Sequence, residues 1–207
     1  MNRHDLLFPT QAGITSAIKG LAPDSRAWAG PLLAGGVPCI LRRQEGLAPG
    51  MLEAGLSHPD RESGHRLRAL LLLPVGEVAQ TLTPFEVMPR AVRWWPQLGR
   101  ITGLAARYGL AAGIYGSTAL CAVTGLAYRG EGSDLDIILR PVEGGPMPSR
   151  SALTAFYREA QALAGRLGTC ADMELELPDG PACKLAELTG SGRTVLCKGL
   201  YSVELRD

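Results

Sequence analysis

The sequence predicts an α+β protein in two parts: a smaller α+β N-terminal domain over residues 1–88, and a C-terminal domain over residues 89–207 with helices on a mixed sheet. Three observations carry that prediction. The first 88 residues are cut by Gly and Pro into short pieces. Trp95, Leu98, Ile101, Leu104 and Tyr108 recur at helical spacings of three and four. Residues 111–139 then run from strand to helix to strand in one string. With 207 residues, 46% of them hydrophobic, the chain has enough apolar surface for real cores.

The elements follow in order. "VPCILRR" (37–43) reads as a strand. "HRLRALLLLP" (65–74) is a strand or a buried helix, which periodicity does not separate for so short an apolar run. "LTPFEVMPR" reads as a prolyl connection, with the domain boundary near Pro89. One amphipathic helix is expected from residue 91 or 96 to residue 108, with Pro96 at its first turn or a kink and Gly109 ending it. "AAGIY" is a short strand, "TALCAVTGL" a helix, "GEGS" a turn and "DIIL" an apolar strand.

Composition narrows the function. A net charge of +1 gives no whole-protein field for nucleic acid or a membrane surface. The halves differ, however: residues 1–110 balance at +4 and residues 111–207 at −3. A basic front beside an acidic back suits an anionic ligand held near metal-binding carboxylates. Five cysteines in no C-x-x-C spacing read as reduced thiols of a cytoplasmic protein. "MNRHDLLFPTQ" lacks a signal peptide's apolar core, and "ALLLLPV" (69–75) is too short to span a bilayer. The three histidines form no H-x-x-H pattern, which argues against imidazole-bound zinc.

The chemistry sits in "GSDLDIIL" (132–139). On a strand, Asp134 and Asp136 point the same way, roughly 6.6 Å apart. At an effective dielectric of about 20 they repel by about 2.5 kcal/mol. A divalent cation such as Mg²⁺, which takes one or two carboxylates and completes its shell with water and phosphate oxygens, relieves that repulsion. Upstream, Gly116-Ser117 stands where strand gives way to helix. Unpaired amides there, with the Ser117 hydroxyl, suit phosphate oxygens.

G-S-x(n)-D-x-D resembles the signature of the nucleotidyltransferase (polymerase β-like) superfamily. The fuller string "YGSTALCAVTGLAYRGEGSDLDIIL" is similar to one family in particular, the phosphoribosyl-dephospho-CoA transferases that convert the malonate decarboxylase acyl carrier protein to its holo form. The matching positions are Gly116, Ser117, Ala119, Thr124, Gly125, Tyr128, Ser133, Asp134, Leu135 and Asp136. Weaker likeness continues in "HDL" (4–6), Thr83-Pro84, "ADMELELPDG" (171–180) and "VLCKG" (195–199). The family's basic stretch before the Thr-Pro pair survives here only in "HRLR", as Arg68 with His65. "LAEL" (185–188) lacks the Asn and Trp of the family pattern.

The resemblance implies two Mg²⁺ ions held by Asp134, Asp136 and a third carboxylate. That third group comes from "CADMELELPDG", where Asp172, Glu174 and Glu176 share one face of a strand and Met173 and Leu175 the other. Asp172 is favoured and Glu176 is second. The implied donor is triphosphoribosyl-dephospho-CoA, and the implied acceptor is a serine of the acyl carrier protein. Gly116 and Ser117 hold the polyphosphate, Arg68 contacts substrate and Lys198 steadies the leaving pyrophosphate. The motif leaves open a citrate lyase-type synthase, a small-acceptor adenylyltransferase or a silent regulatory copy. Because carrier proteins are acidic, Arg93, Arg100 and Arg107, spaced every seven residues, offer a docking stripe along the expected helix.

Overall fold

The computed structural model describes residues 1–62, 65–190, 192 and 194–206. The chain runs β1 (Leu6–Pro9), α1 (Gln11–Lys19), α2 (Pro23–Ala34), β2 (Cys39–Leu41), β3 (Met51–Glu62), β4 (His65–Pro74) and β5 (Val78–Leu82). It continues α3 (Pro84–Trp94), α4 (Leu98–Arg107), β6 (Leu110–Ile114), α5 (Gly116–Thr124), β7 (Leu135–Pro141), α6 (Arg150–Arg166) and β8 (Ala171–Glu176). It ends with β9 (Ala182–Lys184), α7 (Leu185–Thr189), β10 (Val195–Lys198) and β11 (Val203–Arg206). The architecture is α+β, with two sheets.

The first sheet has the order β4-β3-β2-β1-β5 and is antiparallel throughout. Strict alternation along β4 buries Ala69, Leu71 and Leu73 on one face and leaves Leu70 and Leu72 exposed on the other. Helices α1 and α2 contact the strands of this sheet and bury Ile14, Ala17, Ala29 and Leu33 in the same core. "HRLRALLLLP" is therefore a strand, its ambiguity resolved by cross-strand partners such as Leu56 opposite Ala69.

The second sheet has the order β11-β10-β9-β8-β7-β6, and within it β7 and β8 run parallel, joined by the crossover helix α6. One face carries Ile137, Leu139, Met173 and Leu175 into a core shared with Ile101, Leu104, Phe156 and Leu163. The other face carries the acidic residues.

Two expectations change between residues 82 and 108. "LTPFEVMPR" is not an extended connection but the start of α3, with Pro84 at its first turn and Thr83 and Glu86 in a reciprocal capping box. Pro89 thus lies inside a helix. The single helix expected up to residue 108 is two helices. Trp95, crowded by the ring of Pro96, is forced out of the helical region to φ −131° and ψ 83°. Arg93 is consequently on α3 while Arg100 and Arg107 are on α4, so the seven-residue stripe is broken. Arg107 is also paired with Glu159 at 3.0 Å.

Candidate active site

Strand β6 leads directly into α5, and the junction is built around Gly116. Its φ is +64°, in the left-handed region where a side chain is strained. A Cβ there would also run into the carboxylate of Asp136, reaching within 2.8 Å of Cγ. The Gly-Ser turn and the second aspartate are therefore packed against one another, and only glycine fits between them. The Tyr115 amide donates to the Asp136 carbonyl at 3.0 Å, which fixes the turn to β7. The N-cap of α5 is Tyr115, with no side-chain cap, and no acidic residue occupies the first turn. Its leading amides and the half-buried Ser117 hydroxyl face the same cleft as Asp136.

The parallel pairing of β7 and β8 sets Asp136 directly opposite Asp172. Asp134, exposed, precedes β7 by one residue and shares the cleft. Burial is the main reason that Asp136 is pushed up to about 6, and the neighbouring Asp172 charge adds to it. Asp172 turns toward Lys184 of β9, which ion-pairs with it and stands 3.6 Å from Glu174. Glu174 is almost fully buried and is met by His4 at 3.2 Å and Arg3 at 3.6 Å. Desolvation alone would raise its pKa, but the His4 hydrogen bond and the charges of His4, Arg3 and Lys184 bring it down to about 2. The His4 ring stacks on Tyr115 at 3.9 Å, and His4 itself sits at φ +73°. Glu176 is raised by burial and accepts from Asn2 at 3.3 Å.

The cleft, about 760 Å³, lies between the two sheets. Asp134, Asp136, Gly116 and Ser117 form one wall, while Arg42, Arg66 and Arg68 rise from the first sheet on the other. Asp172 and Lys198 do not line it. Lys198 lies beside a separate hollow of about 20 Å³ with Asn2, Arg3 and His4, and its carbonyl accepts from Arg3 at 3.0 Å. The side chain of His65 lies outside the described residues. Among the described residues, no three His, Cys, Asp or Glu side chains converge as a metal-binding group.

Sequence reasoning missed two contributors. Arg129 bonds Thr118 of α5 and the carbonyls of Ser133 (2.7 Å) and Asp134 (3.1 Å), clamping the turn that presents Asp134. It stands in the quoted motif string, but an arginine five residues before an aspartate carries no local sign of that role. Lys184 faces the carboxylates only because the β8–β9 hairpin sets it opposite Glu174.

The family description "Phosphoribosyl-dephospho-CoA transferase MdcG C-terminal domain" matches residues 81–207, and the corresponding N-terminal domain matches residues 2–84. A phosphoribosyl-dephospho-CoA transferase of Bradyrhizobium diazoefficiens is 31% identical, over 99% of this chain and 89% of its own. Those of Xanthomonas euvesicatoria and Pseudomonas fluorescens are each 33% identical, over 95% and 98% of this chain and 89% and 90% of theirs. No solved structure matches. Relatives that cover nearly the whole chain make it a transferase. The chain belongs to the phosphoribosyl-dephospho-CoA transferase family. No helix among the described residues is long and apolar enough to cross a membrane.

Proposed function

We propose that the protein transfers the phosphoribosyl-dephospho-CoA group from its triphosphate precursor to a serine of the malonate decarboxylase acyl carrier protein, releasing pyrophosphate. The observation that carries the reading is the wedging of Gly116 against Asp136, which puts the Gly-Ser turn and a carboxylate without an ion pair among the described residues side by side in one cleft. The C-terminal part, with its strand, Gly-Ser turn, helix and D-x-D strand in that order, is read as a nucleotidyltransferase (polymerase β-like) catalytic domain. Residues 1–88 are read as the substrate- and partner-recognition domain.

The donor set fits Mg²⁺. Its oxygens are hard, Asp136 is partly desolvated beside a second carboxylate, and that crowding favours a cation. Asp134 and Asp136 would hold the metal, and Asp172 would join them when Lys184 releases it. The chemistry such ions supply when bound is neutralisation of phosphate charge and acidification of the attacking hydroxyl.

The chain's own residues do the rest by positioning. The amides after Tyr115 and the Ser117 hydroxyl hold the triphosphate so that its leaving bond lies in line with the carrier serine. The serine oxygen bonds to the α-phosphorus as the bond to pyrophosphate breaks. Asp172, once released by Lys184, would take up the serine proton. Incubating the protein with apo carrier protein, triphosphoribosyl-dephospho-CoA and Mg²⁺, then weighing the carrier, tests this. A mass gain of one phosphoribosyl-dephospho-CoA unit, lost on mutating the acceptor serine, is expected. An unmodified carrier overturns the reading.

A further inference from the structure

The cleft is larger than the reacting phosphates require, and its far wall has a composition of its own. Three rows cross the open face of the first sheet. Arg68 lies opposite Ser57, then Leu70 opposite Gly55, which in turn lies opposite Ile40, then Leu72 opposite Glu53. Arg42 reaches over this surface from just past the end of β2: a Cβ on Gly55 would touch its Cδ at 3.4 Å. Glu53 holds the Arg42 guanidinium at 3.4 Å. Arg66 is held by the Tyr128 carbonyl and lies 5.3 Å from the centre of the Tyr128 ring. Leu70 and Leu72 are 48% and 47% exposed, although helices α1 and α2 cover the opposite face of the same strand. The open face thus presents guanidinium groups around an apolar floor whose Ile40, Gly55 and Leu70 share one cavity with Asp134, Asp136 and Ser117, while Leu72 continues the floor beyond that cavity.

A ligand suited to both walls carries two separated phosphate groups with, beyond the second, a long arm that has apolar carbons to lay on the floor. The donor of the proposed reaction is such a molecule. Its triphosphate reacts, and its dephospho-CoA part carries a diphosphate followed by a pantetheine chain. We infer that the open face of the first sheet is the dephospho-CoA subsite. Arg42, Arg66 and Arg68 bind the diphosphate, and Ile40, Gly55, Leu70 and Leu72 form the floor under the pantetheine arm. Guanidinium forks match phosphate oxygens, and a side-chain-free position in the floor lets the arm lie flat. This inference rests on the proposed transfer and specifies which half of the chain selects the donor.

The probes are dephospho-CoA, ADP and tripolyphosphate, titrated calorimetrically into the full chain without metal. Wild type is expected to bind dephospho-CoA at least fivefold more tightly than ADP, because ADP lacks the arm. Arg42→Ala with Arg68→Ala should weaken dephospho-CoA at least tenfold and change tripolyphosphate by less than twofold. Leu70→Ser with Leu72→Ser should remove the preference over ADP. All four side chains are exposed, so the variants keep the core intact. The inference is overturned if the double arginine variant binds dephospho-CoA within twofold of wild type. It is equally overturned if wild type modifies the carrier yet shows no preference for dephospho-CoA over ADP. Binding that follows these expectations in a protein that modifies no carrier supports the subsite and overturns the proposed transfer instead.

Discussion

Asp136 and Glu174 sit on neighbouring strands of one sheet face, and the chain treats them in opposite ways. Glu174 is surrounded: His4, Arg3 and Lys184 converge on it, and its carboxylate stays charged down to about pH 2. Asp136 is half-buried beside Asp172, forms no ion pair among the described residues, and is pushed up to about 6. A carboxylate whose partners all come from its own chain belongs to the scaffold. One left short of a counter-charge, at the edge of a large cleft, stores an interaction for something that binds. Lys184 marks the border between the two regimes, because it pairs with Asp172 on one side and approaches Glu174 on the other.

The sharpest way to break that comparison is through activity. Asp136→Asn, or Asp134→Asn, should lower carrier modification at least about a thousandfold, equivalent to about 4 kcal/mol of barrier, while the protein stays folded. Glu174→Gln should do the reverse. Removing the charge that His4, Arg3 and Lys184 surround should cost about 3 kcal/mol of stability, read from urea denaturation at pH 7. Substantial activity in the Asp136 variant, or unchanged stability in the Glu174 variant, would show that the two residues have been assigned to the wrong roles.

The two groups also predict opposite pH slopes. The folded-state pKa of Asp136 lies above its ordinary 3.8, so its contribution is fully present below about pH 4 and is lost as pH rises through about 6. That of Glu174 lies below its ordinary 4.5, so its contribution is present above that pH and is lost as pH falls toward about 2. In metal-free buffer, denaturation between pH 4 and 8 should therefore show wild type losing up to about 3 kcal/mol as Asp136 ionises. Asp136→Asn should flatten that part of the curve. A variant with the same slope as wild type would place the titration elsewhere.

How much of this was legible in the sequence depended on the distance between the partners. The Gly-Ser turn and the strand carrying Asp136 are local patterns and read correctly, but Asp134 lies one residue before β7 instead of on it, and Glu174, expected on the polar face of β8, is as buried as Met173 and Leu175. The break at Trp95-Pro96 was signalled by the proline, but the helical spacing of the apolar residues on either side masked it. What could not be read was register. The opposition of Asp136 to Asp172 and of Glu174 to Lys184, and the reach of His4 across 170 positions to Glu174, are set by how strands pair. The arginine wall is equally hidden, because Arg42, just past β2, and Arg68, on β4, come to one cleft only once the sheet has formed.

The smallest expected effect concerns Ser117, and it tests whether the wall opposite the arginines binds phosphate at all. Ser117 lies at the second position of α5 and its hydroxyl is not the helix cap, since Tyr115 holds that place without a side-chain bond. Deleting the hydroxyl should therefore leave helix stability nearly unchanged. A hydroxyl that donates to a charged phosphate oxygen contributes about 1.5 to 3 kcal/mol, so Ser117→Ala should weaken tripolyphosphate roughly ten- to a hundredfold. The backbone amides that follow Tyr115 remain in the variant, which is why the loss stays partial. Dephospho-CoA, bound on the opposite wall, should be held as before. If tripolyphosphate bound the variant and the wild type equally, the turn would serve only to seat Gly116 against Asp136, and the triphosphate would have to be held elsewhere in the cleft.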